Sequence, residues 1–305
     1  FLELPGYNIR YSKSGLGLVS NILVQVPNIV SSIRRENKWL KAQLKEYNFD
    51  AVISDNRFGL YQNSVPGVFI THQLTIKSPF GAWSEKILQW ANYRYVNRFS
   101  ECWIPDGAGT DNLAGDLSHP KKNPVIPSFY IGPVSRFKKI RAEEKRRHLV
   151  IILSGPEPQR SIFEEILVNQ LAHYNGSADF IRGLPSTETI LPSTNQLRFY
   201  NHLPADELSK KIADAEFVIS RSGYSTVMDL VRLGKKSILV PTPGQTEQKY
   251  LAHYLMQKGI AFCVAQKDFL LRDVLETAYK FRYNIPYYET LNLKETISNF
   301  ISKLI

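Results

Sequence analysis

From Leu149 to Val264 the sequence repeats one pattern: a short, mostly apolar run, a polar turn, then a stretch with helical spacing. The short runs fall at Leu149–Leu153, Asp179–Ile181, Leu197–Tyr200, Phe217–Ser220, Ser237–Val240 and Ala261–Val264. Helical spacing occupies Ser161–His173, Ala205–Ala213, Ser225–Leu233, Gln248–Gln257 and Phe269–Tyr279. Strands without polar/apolar alternation are buried on both faces, and strands separated by helices pair in parallel through crossovers. The predicted fold class is therefore α/β, built as a doubly wound, Rossmann-like sheet.

The first half repeats the pattern less regularly. A helix is expected over Asn28–Tyr47, then strands at Ala51–Ser54 and Gly67–Thr71 and a helix near Ser84–Arg98. Further strands are expected near Cys102–Pro105 and Phe129–Ile131. This gives a second Rossmann-like domain over 1–135, a charged linker over 136–148 and the regular domain over 149–290. A last amphipathic helix within 291–305 would pack back on the N-terminal domain. The opening segment, FLELPGYNIRYSKSGLG, begins at Phe1 and reads as the end of a strand followed by a loop. The N-terminal domain is thus expected to be incomplete, by at least the roughly 30 residues of one βαβ unit.

At 305 residues, 43% hydrophobic and 22% charged, the composition is that of a globular protein with room for two such domains. No run of eighteen apolar residues is present, which excludes a membrane-spanning helix. Cys102 and Cys263 are the two cysteines, too far apart for a metal or redox motif, so a reducing, cytoplasmic setting is expected. The net charge of +10 favours anionic partners: nucleotides, anionic lipid or nucleic acid. The absence of any basic-aromatic reader motif argues against nucleic acid.

Ligands of open parallel sheets bind beyond the carboxyl ends of the strands. Four such ends carry small or hydrogen-bonding residues. In LSGPEPQR, Ser154 and Gly155 allow close backbone approach, and the loop leads into a helix starting near Ser161. Ser154, Gly155 and Arg160 are donor-binding candidates, but no P-loop or GxGxxG motif is present. In SRSGYST, Gly223 permits a tight turn, and Ser222, Ser225 and Thr226 surround a helix start suited to a diphosphate. Asp229 follows within the helix, where a carboxylate can hold ribose hydroxyls. In PTPGQTEQ, Gln245, Glu247 and Gln248 suit sugar hydroxyls, and in YNHLP, His202 and Leu203 suit a nucleobase. Each loop also has a plain structural reading, as a helix cap or a solvated turn.

Taken together, SRSGYSTVMDLVRLGKKSILVPTPGQTEQKYLA resembles the donor-binding pattern of glycosyltransferase family 28, the GT-B family that includes peptidoglycan N-acetylglucosaminyltransferases. The resemblance places Ser222, Gly223 and Thr226 at the diphosphate, Asp229 at the ribose in place of the family's Glu, and Gln248 at the donor sugar. Lys249 stands where the family has a second Gln. More weakly, ITHQL (Ile70–Leu74) and IGPV (Ile131–Val134) resemble stretches of the family's N-terminal domain.

The resemblance implies an inverting glycosyltransferase with a UDP-sugar as co-substrate, and no obligatory metal or other cofactor. The phosphates would be held by backbone N–H groups. The family's base lies in a Gly-His loop that residues 1–30 do not contain. Among the residues present, His72 and Asp55 are the catalytic candidates. Alternatives on the same fold are a nucleotide-sugar 2-epimerase or hydrolase, and a non-catalytic nucleotide-sugar-binding subunit. Phe80, Trp83, Trp90, Tyr93 and Tyr95, among Lys77, Lys86, Arg94 and Arg98, form a basic aromatic stretch. It suits a glycan or lipid-linked acceptor and peripheral contact with anionic membrane at its inner face.

Overall fold

The protein is described from a computed structural model covering residues 2–4, 18–140, 143–189, 191–288 and 291–304, with backbone only for 18–26 and 291. The chain divides into two compact units, one of Phe1–Pro133 with Glu289–Ile305 and the other of Val134–Tyr288. Of the expected opening strand and loop only residues 2–4 are described, and they hold no regular element.

The first unit is a four-stranded parallel sheet in the order β1 (Val52–Asp55), β2 (Gly67–Ile70), β3 (Glu101–Ile104) and β4 (Ser128–Tyr130). Helix α1 (Leu18–Glu46) precedes β1 and α2 (Ala82–Val96) joins β2 to β3. The helix begins ten residues before the expected start at Asn28 and runs through Pro27.

Alternate strand residues feed the two sheet faces. Phe69, Cys102 and Ile104 pack with Val96 and Phe99 on one side. Val68 and Trp103 pack with Ile131 and Phe300 on the other. Phe300 belongs to α8 (Leu291–Ile301), whose Leu293 and Ile297 also line that core. The Phe300 ring meets Trp103 edge-on at 5.6 Å, and Lys303 Nζ reaches Glu101 Oε1 at 2.7 Å. The last helix is thus a layer of the first unit, although the second unit's residues precede it in the chain.

The second unit is a six-stranded parallel sheet. Its strands are β5 (His148–Ile152), β6 (Ser177–Ile181), β7 (Leu197–Tyr200), β8 (Phe217–Ser220), β9 (Ser237–Leu239) and β10 (Phe262–Cys263). Their spatial order is β10-β9-β8-β5-β6-β7. Helices α3 (Gln159–Leu171), α4 (Ala205–Asp214), α5 (Tyr224–Leu233) and α6 (Thr246–Gln257) lie in crossovers, and α7 (Leu271–Lys280) follows β10. Phe163 and Leu167 of α3 meet Val274 and Leu275 of α7 over Leu149, Ile151 and Phe217 of the sheet. Helix α5 ends at Gly234 in the left-handed region, and Lys235 N–H returns to the Leu230 carbonyl to close a Schellman cap.

The segment read as a solvated linker is corrected in one respect: it has an apolar anchor and charged partners within the second unit. Phe137 is buried, Glu144 pairs with Lys235 at 2.7 Å and Lys145 with Asp214 at 2.6 Å.

Gly183, just beyond β6, has φ +70°, and a Cβ there would stand 2.3 Å from the Leu153 carbonyl oxygen. Gly183→Ala is expected to lower stability by about 3 kcal/mol or more, through backbone strain and the steric clash. Urea-unfolding midpoints of the two proteins measure it.

Candidate functional site

Strand order in the second sheet reverses at β5. From β5 the chain steps outward to β6 and β7, then returns to the other side for β8, β9 and β10. The crossover helices therefore leave β5 and β8 toward opposite faces, and a crevice forms beyond the carboxyl ends of these two strands. Register fixes what lines it. Ile152 of β5 pairs with Ser220 of β8, and Ser220 with Leu239 of β9, so Ser154–Gly155, Ser222–Gly223 and Val240–Thr242 emerge along one edge.

Two of these turns are glycines for different reasons. Gly155 has φ +101°, which L side chains rarely adopt. Gly223 has φ −71°, open to any residue, but a Cβ there would meet no atom within 4 Å. Its backbone needs no glycine; what its hydrogen gives is approach to the first N–H groups of α5. No side chain caps that helix start. The Gly223 carbonyl accepts from Val227 N–H, so the earlier N–H groups, Ser225 and Thr226 included, have no i−4 acceptor within the helix. Ser225 is exposed and Thr226 half-buried beside them.

The hydroxyl of Ser222 is corrected from a ligand-facing group to a brace. Ser222 is buried, and its Oγ donates to the Gln248 carbonyl at 2.8 Å. The Gln248 side-chain oxygen in turn accepts from Thr242 N–H at 2.9 Å, so the loops after β8 and β9 are cross-tied. Gln245 and Glu247 are half-buried and Lys249 exposed around the start of α6, and Lys249 N–H donates to the Gln245 carbonyl.

Arg160 is corrected as well. Its residue is buried, and its guanidinium donates to Glu157 at 2.6 Å, to Ser161 at 2.7 Å, to the Arg182 carbonyl at 3.3 Å and to Glu164. That network clamps the start of α3 to the end of β6 and leaves Arg160 a structural part. Ser154 and Gly155 of the same loop are exposed. His202 is exposed and Leu203 buried just after β7, two strands from β5, or about 10 Å along the sheet edge.

Asp229 lies on α5. Its Oδ1 accepts from Ser135 Oγ at 2.6 Å, and its Oδ2 stands 3.3 Å from Arg136 Nε. Burial raises its carboxyl above the usual range, against the opposing pull of the Ser135 hydroxyl and Arg136. Local sequence points to neither partner, because both sit nearly a hundred residues earlier in the chain.

In the first unit, Asp55 ends β1 and His72 lies just past β2, at the same end of that sheet because Asp55 pairs with Ile70. Asp55 is exposed and His72 half-buried. Thr71 Oγ1 donates to Asn56 Oδ1 at 3.2 Å and accepts from Gln73 N–H at 3.1 Å, which fixes the two turns together. At the end of β3, buried Asp106 accepts from the N–H groups of Gly107, Leu113 and Ala114 and from Ser118 Oγ, folding 106–118 back on the sheet. That carboxylate is structural, and no sequence motif marks it.

The basic aromatic stretch divides in two. Tyr93 donates its hydroxyl to the Lys122 carbonyl at 2.7 Å, and Tyr95 packs on Phe58 beneath Arg98. Trp83, Ile87 and Trp90, at 65%, 57% and 65% exposure, form one stripe along α2, with Phe80 at 46% just before it. Arg94 lies 5.9 Å from the Trp90 ring centre.

A raised carboxyl pKa makes the ionised form a liability to folding. Its stabilising contribution is present below the unfolded-state pKa of about 3.9 and is lost as pH rises through the folded value. Asp229→Asn keeps the acceptor for Ser135. It should be at least as stable as the parent at pH 7, with the difference shrinking as pH falls toward about 4. Urea midpoints at the two pH values test this.

Residues 168–304 match the family model of the glycosyltransferase family 28 C-terminal domain, a span that holds the loops after β6 to β9 but not the Ser154–Gly155 turn. A UDP-N-acetylglucosamine–N-acetylmuramyl-(pentapeptide) pyrophosphoryl-undecaprenol N-acetylglucosamine transferase of Rhodopseudomonas palustris (strain BisB18) is 45% identical over 73 residues. Those are 23% of this chain and 18% of that protein. Its namesake from Exiguobacterium sibiricum is 29% identical over 188 residues, 57% of this chain and 50% of that protein. The chain spans half the length of these relatives or less. Among solved structures, the glycotransferase of kitacinnamycin is similar at TM-score 0.60 and 14% identity, covering 97% of this chain and 82% of that one. A candidate UDP-N-acetylglucosamine 2-epimerase from Listeria monocytogenes reaches 0.60 at 13% identity, covering 90% and 79%. At such identities the likeness is one of fold, and transferases share that fold with the epimerase. The chain thus has the α/β, GT-B fold of these structures, and over residues 168–304 it is similar to the glycosyltransferase family 28 C-terminal domain.

Proposed function

We propose that the protein is a glycosyltransferase that moves a sugar from a UDP-sugar, a UDP-N-acetylhexosamine first among them, to a lipid-linked glycan acceptor with inversion. The observation that carries this reading is the crevice at the strand-order reversal. Gly155, Gly223 and the uncapped start of α5 present backbone N–H groups there, with Asp229 on the same helix and Gln248 at the adjoining loop. Such a start favours an anion through its orphan donors and its dipole. The match of residues 168–304 to a family 28 domain, and the UDP-N-acetylglucosamine in the names of the relatives, support the donor class.

In this reading the donor domain is 149–290 and the acceptor-side domain 1–135, joined through 136–148. The diphosphate lies against Ser154–Gly155 and the N–H groups of Gly223 to Thr226. Ribose hydroxyls bond Asp229, whose Oδ2 stands 3.3 Å from the Nε of an Arg136 side chain that is 58% exposed. Gln245, Glu247, Gln248 and Lys249 surround the sugar, and the backbone at His202–Leu203 meets the base. Charge that develops on the leaving diphosphate is stabilised by preorganised N–H groups, with no metal required. A general base takes the acceptor proton, and His72 and Asp55 are the groups of the first unit offered for that role.

The exposed stripe of Phe80, Trp83, Ile87 and Trp90, with Lys86 and Arg94 alongside, supports peripheral binding to an anionic membrane, where a lipid-linked acceptor resides. No helix among the described residues is long and apolar enough to cross a membrane.

Calorimetry with UDP and UDP-N-acetylglucosamine tests the donor. Both should bind, and Gly223→Ala, which keeps the fold but sets a methyl before the α5 N–H groups, should weaken binding at least tenfold. If no UDP compound binds, the reading falls; release of free sugar or of its 2-epimer without acceptor would move it to a hydrolase or epimerase. For the membrane surface, Trp83→Ser with Trp90→Ser should cut co-sedimentation with anionic phosphatidylglycerol vesicles several-fold and leave UDP affinity unchanged. Unaltered sedimentation would remove that surface from the proposal.

A further inference from the structure

Arg221 follows β8 directly, two residues before Gly223, with only 1% of its surface exposed. Its two terminal nitrogens donate to the carbonyls of Val240, at 3.2 Å, and Gln159, at 2.8 Å. The guanidinium carbon lies 4.4 Å from the centre of the Phe163 ring. The nearby carboxylates of Glu157 and Glu164 are taken by Arg160 and Arg182. Arg221 itself has no ion pair among the described residues, and its Nε has no hydrogen-bond partner. Burial lowers its pKa to about 10, which leaves it charged at neutral pH.

A buried cation without a counter-ion is costly, and carbonyl contacts answer only part of the cost. Two further orphans adjoin it. Thr242 is 2% exposed, and its unpartnered Oγ1 lies 3.8 Å from where a Cβ of Gly155 would stand. Gln159 Oε1 is likewise buried and unpartnered. Three of the six unpartnered buried side-chain atoms among the described residues thus gather at the loops after β5, β8 and β9. Turn geometry alone does not require any of them.

We infer that Arg221 is a positioning residue for the donor's diphosphate. It ties the end of β9 and the start of α3 by two carbonyls, while its unpaired charge makes the potential behind the Gly155 and Gly223 turns positive. Thr242 adds a hydroxyl at the same turn. In a poorly solvated interior such a charge acts across several ångströms without touching its target. The anion completes the ion balance that the folded chain leaves open.

The inference rests on the donor reading and can fail separately from it. A field acts on phosphates and not on uridine, so the ratio of UDP to uridine affinity is the quantity to measure, by calorimetry at fixed ionic strength. Arg221→Gln, which removes the charge, should reduce that ratio at least tenfold and leave uridine affinity within about twofold. Arg221→Lys should keep most of it. If the Gln variant retains the parent ratio, or if Lys loses as much as Gln, Arg221 is structural only and the donor reading stands. If the parent binds neither UDP nor uridine, both fall together. Should Arg221→Gln not fold, Thr242→Val, of nearly the same shape without the hydroxyl, must lower the same ratio; an unchanged ratio there overturns the inference.

Discussion

Everything at the candidate site depends on the position of β5 between β6 and β8. A parallel sheet built outward from its middle strand must send its crossovers to opposite faces, and the turns at the two central strand ends then diverge. That divergence makes room for glycine turns where most strand ends are closed by side chains. Among the described residues, the four strands of the first unit run in simple order, β1 to β4, with no such reversal. The reversal that opens such a crevice lies, among the described residues, in the second unit.

Around the crevice, polar groups divide into those that build it and those left over. Ser222, Gln248 and Arg160 carry hydrogen-bonding side chains, yet their described bonds go to the protein's own loops. They hold Gly155, Gly223 and Thr242 in place, as a rigid site requires. Asp229 stands between the two groups: it has partners, but burial disfavours its charge and one partner is largely solvated.

Much of the architecture is legible in the amino-acid pattern. Leu197–Tyr200 and Phe217–Ser220 fall where periodicity puts them, and the remaining strands and helices of the second unit shift by a residue or two at their ends. Apolar runs bounded by Gly, Pro and Ser admit few other readings. Periodicity places the start of α1 at Asn28, ten residues after the observed start, and the helix runs through Pro27. The aromatic stretch looks uniform in sequence. Only packing separates Tyr93 and Tyr95, turned inward, from Trp83 and Trp90, turned out.

The α/β alternation, the glycines at the strand ends and the family 28 pattern from Ser220 to Lys249 are local in the chain, and the order of residues alone dictates them. Which polar residues are spent on the fold is a matter of tertiary packing. Arg160 and Arg221 are both arginines at loops beside the crevice, and no local rule tells them apart. Arg160 meets Glu157 and Glu164 within one turn of its own helix, whereas Arg221 is carried by β8 into a region where the nearby carboxylates are already paired. Ion pairing in a buried site is set by which strands lie side by side, and that order is a property of the whole sheet.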